Sequence, residues 1–217
     1  NNKKLTTISG FSMRYEAIRV QLKTGDVLLF SGKGGISEGI KFFTLSKWSH
    51  VGMVYRLEDP HDANGTVFCW ESTTLNDLAD ADSGKLTQGV QRVELSERLE
   101  RCFAKNYEIS IRQLSKPLTD QILKVLNDFR HEVSGRPYER HKIELIKSAY
   151  DLVLGTNKED LSSLFCSELL AEAYQRMGLL TEEKPSNEYT PKDFSQDKRL
   201  TLQQGYSLGS ELSVYGL

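Results

Sequence analysis

Cysteine is scarce in this chain of 217 residues: there are three, at positions 69, 102 and 166, an odd number without CxxC spacing. A disulfide-built scaffold is therefore not expected, and at least one thiol should be free. Charge of one sign is lacking too, with 28 Lys+Arg against 30 Asp+Glu and a formal net charge of −2. Bulk attraction to phosphate backbones or anionic bilayers is then weak, and nucleic acid is not an expected partner. No apolar run approaches the roughly 18–20 residues of a membrane span, so no integral membrane segment is expected. The first ten residues lack the apolar stretch of a signal peptide, and the chain is read as soluble, either cytoplasmic or a secreted fragment. Because it opens on Asn1 rather than Met, that reading leaves the compartment open.

Familiar ligand motifs are also missing. Ser31-Gly32-Lys33-Gly34-Gly35 follows an apolar strand but meets neither phosphate-loop spacing, so it reads as a turn. His131-Glu132 resembles the opening of a zinc-protease helix, but Gly135 occupies the second histidine position. Neither a metal nor a cofactor is expected. Asn64-Gly65-Thr66 is formally a glycosylation acceptor, yet Asn-Gly is a preferred hairpin turn, and the turn reading is taken.

What is present is a block of strands followed by a block of helices. Gly25–Phe30 is a turn pair leading into a continuous apolar run, as expected for a central strand covered on both faces. His50–Arg56 and Thr66–Glu71 flank turn chemistry at residues 59–65 and read as a hairpin; further strands are expected near Val90–Leu95 and Tyr107–Leu114. A short helix is expected from Ser37 to Phe43, and a charged one at Ser96–Cys102. The period then becomes helical: Ile122, Val125, Leu126, Phe129 and Val133 with Thr119 as N-cap; Ile143 to Val153; and about Ser163 to Met177, stopped by Gly178. Beyond Thr181 the chain is polar and loop-like. This pattern predicts an α+β fold, a mostly antiparallel sheet with helices packed on one side. No internal repeat or linker divides it, so residues 1–217 form one domain, with a core of about 22–200, an N-terminal extension 1–21 and a C-terminal tail 201–217.

Three residues carry chemistry. Cys166 falls in the first turn of a predicted amphipathic helix, where unpaired amides and the positive dipole end favour a thiolate and could hold an oxyanion. A small thiol packing the helix start is the competing reading. His50 opens a strand, where its ring can project past the sheet edge; a thiol attacking an acyl carbon needs such an imidazole to take and return a proton. Glu71 ends an apolar strand on the face shared by Val67 and Cys69. If that strand pairs with the one bearing His50, the carboxylate can fix the imidazole tautomer. Cys69 lacks helix amides and is read as packing; Cys102 has no histidine nearby in sequence and is read as structural or incidental. His61, His131 and His141 are expected on the surface.

The order His50, Glu71, Cys166, with Gly25–Phe30 ahead of Trp48-Ser49-His50-Val51-Gly52 and with Phe165-Cys166-Ser167-Glu168-Leu169 far downstream, resembles the circularly permuted papain-like proteins of the NlpC-type superfamily. The likeness is greatest to their YiiX-like branch and spans roughly residues 22–200, including Gly135-Arg136-Pro137-Tyr138 and Tyr189-Thr190-Pro191-Lys192-Asp193. It implies Cys166 as nucleophile, His50 as base, Glu71 as its orienting partner and Tyr138 as a residue lining the site. Glu139 stands where many relatives have Asp, and residues 139–160 form a charged helical insert. The function implied is a cysteine hydrolase of amidase or peptidase type, working through a thioacyl intermediate on a peptide, amino-acyl or lipid-acyl substrate. Acyl transfer of the lecithin:retinol acyltransferase-like type, and a non-catalytic binding module on the same fold, are the alternatives.

Overall fold

A computed structural model describes residues 12–32, 46–57, 65–136 and 162–217, apart from the side chains of 162–164. In chain order the elements are β1 (Ser12–Met13), α1 (Tyr15–Arg19), β2 (Val27–Ser31), β3 (His50–Arg56), β4 (Val67–Thr73), β5 (Gly89–Glu94), α2 (Leu95–Ala104), β6 (Glu108–Arg112), α3 (Asp120–Val133), α4 (Ser162–Arg176) and β7 (Leu212–Val214), with 3-10 turns at Ser186–Glu188 and Pro191–Phe194. The fold is α+β. Among the described residues, seven strands form one mixed sheet in the order β1-β7-β6-β2-β3-β4-β5, and only the β1–β7 pairing is parallel.

The continuous apolar run of β2 has its expected consequence: the strand is central and every one of its residues is buried. Alternation divides it between two cores. Val27 and Leu29 join Val51, Met53 and Trp70 under α3 and α4, while Leu28 and Phe30 join Val54 and Cys69 under α1 and α2. Helices thus cover both faces, which corrects the one-sided packing expected from the order of elements. A strand apolar on both sides needs two covers, and each buried Leu- or Val-sized side chain contributes on the order of 2 kcal/mol relative to exposure.

The ends of the chain are also part of the structure. Residues 12–21 were expected as an extension and 201–217 as a tail; instead β1 and β7 extend the sheet beyond β6, and Tyr15, Ile18, Tyr206 and Val214 are buried. Strands of two or three residues are too short to show a period in sequence. Helix α3 follows its pattern except at Val125, which is exposed: Thr119 caps it by accepting from the Ile122 amide, and Ile122, Leu126, Phe129 and Val133 are buried. At Gly25, φ is +98° and an added Cβ would lie 2.7 Å from Leu114 Cδ1, so only glycine makes this turn into β2. The Tyr174 hydroxyl of α4 donates to the Gly25 carbonyl (2.6 Å), tying α4 to the central strand. The expected helix 37–43, the turn residues 59–64, His61, Tyr138, His141, the helix Ile143–Val153 and the 139–160 insert lie outside the described residues.

Candidate active site

His50 is placed by the turn that leads into β3. The Ser49 amide donates to the Phe30 carbonyl (2.9 Å), and the Gly32 amide donates to Ser49 Oγ (3.0 Å). Trp48, fully buried, donates from Nε1 to Glu211 (2.9 Å). With the backbone pinned there, His50 pairs with Phe30 across β2–β3, and their rings lie 5.4 Å apart. Its side chain is 18% exposed, so the imidazole stands at the rim of the sheet rather than inside it.

Glu71 comes from the next strand. The β3–β4 register sets Met53 opposite Trp70 and Val54 opposite Cys69; continued by one step, it sets Gly52 opposite Glu71. Glu71 therefore lies diagonal to His50 on the same face, across a residue with no side chain. A Cβ at position 52 would sit 3.0 Å from Cys69 Sγ, 3.3 Å from the Trp70 carbonyl and 3.5 Å from Glu71 Cβ, within the space the glutamate crosses. His50 Nε2 and Glu71 Oε2 are 2.6 Å apart. The sequence suggested a strand-end carboxylate, but β4 runs on to Thr73 and Glu71 is 1% exposed between β3 and β5.

A carboxylate buried this deeply must be paired and hydrogen-bonded. Arg98 Nη2 of α2 lies 2.7 Å from Oε1, as an ion pair rather than an aligned hydrogen bond, and Gln91 Nε2 of β5 donates to the same oxygen (3.1 Å). Arg98 is also buried, and its Nη1 donates to Asp77 (3.0 Å). Burial alone would raise the Glu71 pKa. The Arg98 charge, then His50, then the Gln91 hydrogen bond outweigh it and hold the carboxyl down at about 2.

Cys166 lies in α4, which packs across β3 and β4, and is 1% exposed. Its side chain hydrogen-bonds the His50 ring. Because Nε2 faces Glu71, Nδ1 is the nitrogen left for the sulfur. Burial would lower the His50 pKa; charge on Cys166 and its hydrogen bond, followed by Glu71, overcome that and raise it to about 10. One expectation is corrected. α4 begins at Ser162, so Cys166 is its fifth residue, and its amide lies past the unpaired N–H groups of the first turn. The next residue, Ser167, donates to the Tyr189 carbonyl (2.6 Å), fastening the cysteine helix to Thr190–Asp193, where Asp193 Oδ2 accepts from both the Thr190 amide and hydroxyl (2.8 Å each).

The structure brings Cys166, His50 and Glu71 together; Tyr138 lies outside the described residues. The other two thiols are buried and form no disulfide. Burial pushes the Cys69 thiol well above its ordinary range and Cys102 to about 12. Sequence reasoning missed Arg98 and Gln91. A signal for Arg98 was present, since it shares the apolar stripe of α2 with Leu95, Leu99 and Cys102, where a cation demands a buried anion. A cleft of about 450 Å³ beside Trp48, bounded by Tyr107 and Tyr215, has none of the three residues in its lining.

No protein-family model matches this chain, and no curated protein matches it. Among solved structures, it is similar to one described as the metalloprotein yiiX from Escherichia coli O157:H7, at 16% identity and a TM-score of 0.44, over 88% of this chain and 98% of that one. Among the described residues of this chain, no group of three or more His, Cys, Asp or Glu is arranged to hold a metal ion, and no helix is long and apolar enough to cross a membrane.

Proposed function

We propose that the chain is a cysteine hydrolase of amidase or peptidase type on a circularly permuted papain-like fold, with Cys166 as nucleophile, His50 as acid and base, and Glu71 as the residue that orients His50. The observation that carries this reading is one imidazole held between two partners: Glu71 at 2.6 Å on Nε2 and the Cys166 side chain on the other side. A carboxylate on one ring nitrogen fixes the tautomer and steadies the imidazolium, while the opposite nitrogen exchanges a proton with the nucleophile. The permuted order also supports it, since the histidine and acid come from adjacent strands β3 and β4 and the thiol from a helix much later in the chain.

The sulfur of Cys166 attacks the acyl carbon, and the C–S bond forms as the carbonyl π electrons move onto oxygen. Collapse of this intermediate breaks the bond to the leaving group, which takes the proton held by His50. Water, deprotonated by the now neutral His50, then attacks the thioester; the C–S bond breaks, the acid leaves, and the thiolate–imidazolium pair is restored.

The test is intact-protein and peptide mass spectrometry after exposure to p-nitrophenyl acetate. Wild type is expected to gain an acetyl group on Cys166 and to lose it in buffer, while His50→Ala acquires it far more slowly. Acetylation led by Cys69 or Cys102, or equal rates in the two proteins, overturns the assignment. Acetyl passing to an added amine or alcohol rather than to water identifies acyl transfer, and no turnover of any acyl donor leaves the binding module.

A further inference from the structure

Arg98 is buried on the apolar side of α2, beside Leu95, Leu99 and Cys102, where its guanidinium meets two carboxylates. If the purpose were stability alone, the position would be served at least as well by an apolar residue of similar volume, because desolvating an ion pair offsets most of what it gains. The distribution of contacts on Glu71 indicates another purpose. Oε1 takes Arg98 and Gln91, and Oε2 is left to His50. With one oxygen held from two elements, the carboxylate cannot rotate away from the imidazole without breaking both contacts. The far side of the guanidinium is held by Asp77, which is 27% exposed and has Lys105 Nζ at 3.7 Å. A row of alternating charges thus runs from the surface to the reactive pair: Lys105, Asp77, Arg98, Glu71, His50.

We propose that Arg98 is a positioning residue for Cys166 and His50: acting through Glu71, it keeps that carboxylate ionised and aimed at His50 Nε2, and Gln91 and Asp77 hold it to that geometry. This rests on the cysteine-hydrolase reading above. The groups facing Glu71 are His50 from β3, Cys69 from its own strand, Gln91 from β5, and Arg98 and Cys102 from α2. Among these, Arg98 is the permanent cation. Without it, burial favours the protonated acid, which cannot steady an imidazolium as a carboxylate does.

The experiment compares wild type, Arg98→Lys and Arg98→Met by two readouts. The first is the proton resonance of His50 Nε2–H in protein labelled with 15N-histidine, which reports the bond to Glu71 independently of turnover. The second is the rate at which Cys166 is acetylated by p-nitrophenyl acetate. Wild type is expected to show a strongly downfield proton. Arg98→Met should lose it and acetylate at least about tenfold more slowly, equivalent to roughly one pKa unit, while Arg98→Lys recovers most of both. A residue that only packs α2 would lower the melting temperature of Arg98→Met and leave the resonance and the rate of the folded protein unchanged, which would overturn the proposal. If Arg98→Met does not fold, the carboxyl 13C titration of Glu71 in wild type decides: a midpoint near the ordinary 4.5 overturns the proposal, and one below about 3 supports it. Loss of the downfield proton in a series where even wild type never acetylates Cys166 leaves the positioning of Glu71 by Arg98 standing and removes the hydrolase.

Discussion

Replacing Glu71 with glutamine keeps the shape of the side chain and exchanges one oxygen for an amide. Three nitrogens converge on this carboxylate: His50 Nε2 at 2.6 Å and Gln91 Nε2 at 3.1 Å in hydrogen bonds, and Arg98 Nη2 at 2.7 Å as an ion pair. A glutamine has a single oxygen to offer, so its NH₂ must face either the histidine or the arginine, donor to donor. Arg98 is then left buried with Asp77 as its remaining carboxylate. Removing one partner of a buried ion pair costs about 3–5 kcal/mol. For a domain of this size that corresponds to a fall in melting temperature of roughly 6–20 °C. The sign with pH is fixed by the depressed Glu71 pKa, from an ordinary 4.5 to about 2. The stabilisation from the ionised group is present above the ordinary value and is lost as pH falls toward 2, so the gap between wild type and Glu71→Gln should be widest above pH 5 and close in acid. A shift of that size is on the order of 3 kcal/mol, agreeing with the ion-pair figure. Urea unfolding at several pH values measures it, with Glu132→Gln as control, because that half-exposed glutamate pairs with half-exposed Arg136 and Arg176 and should cost no more than about 1 kcal/mol. A Glu71→Gln loss below about 1 kcal/mol at pH 7, or one independent of pH, would refute the reasoning.

The remaining predictions concern the same group of side chains. His50 is expected to titrate by NMR with a midpoint near 10, above an ordinary 6.5, and in Cys166→Ala the midpoint should drop, because the largest contribution raising it is gone; an unchanged midpoint argues against contact between the two side chains. Gly52→Ala places a methyl 3.0 Å from Cys69 Sγ and 3.3 Å from the Trp70 carbonyl, and overpacking there should cost about 1–3 kcal/mol in urea unfolding and slow Cys166 acetylation. A neutral substitution at position 52 would mean that Glu71 reaches His50 without needing that space.

How much of the fold was legible depended on how far each signal extended along the chain. β2 announced its central place because the unbroken apolar run Val27-Leu28-Leu29-Phe30 leaves no polar face, and α3 announced its cap and core stripe through Thr119, Ile122, Leu126 and Phe129. β1 and β7 gave no warning, since their pairing is between Ser12–Met13 and Ser213–Val214, near opposite ends of the chain. Two-sided covering was implicit in β2 and could have corrected the one-sided arrangement suggested by the order of strands and helices. Cys102, for which a structural or an incidental role was open, is one of the residues that seats α2 in the second core.

At the site, alternation grouped His50 with Gly52 on one strand and Glu71 with Cys69 on the next, and the register then set the histidine and acid on one face, diagonally across the glycine. What alternation cannot show is the cost of that placement. A carboxylate at a strand end can rely on water, but one within the sixth strand of a seven-stranded sheet, covered by a helix, cannot, and moving Glu71 inside β4 creates an obligation that the two strands cannot meet. His50 is neutral or cationic according to pH, so a permanent cation has to come from elsewhere. Of the elements that reach this face, α2 follows β5 directly, and its stripe of Leu95, Leu99 and Cys102 is interrupted once, by Arg98. A buried acid on a strand and an arginine on the apolar stripe of the covering helix each look like an error in sequence. Taken as a pair, each supplies the reason for the other, and a search for such complementary misfits would have found Arg98 before any coordinates.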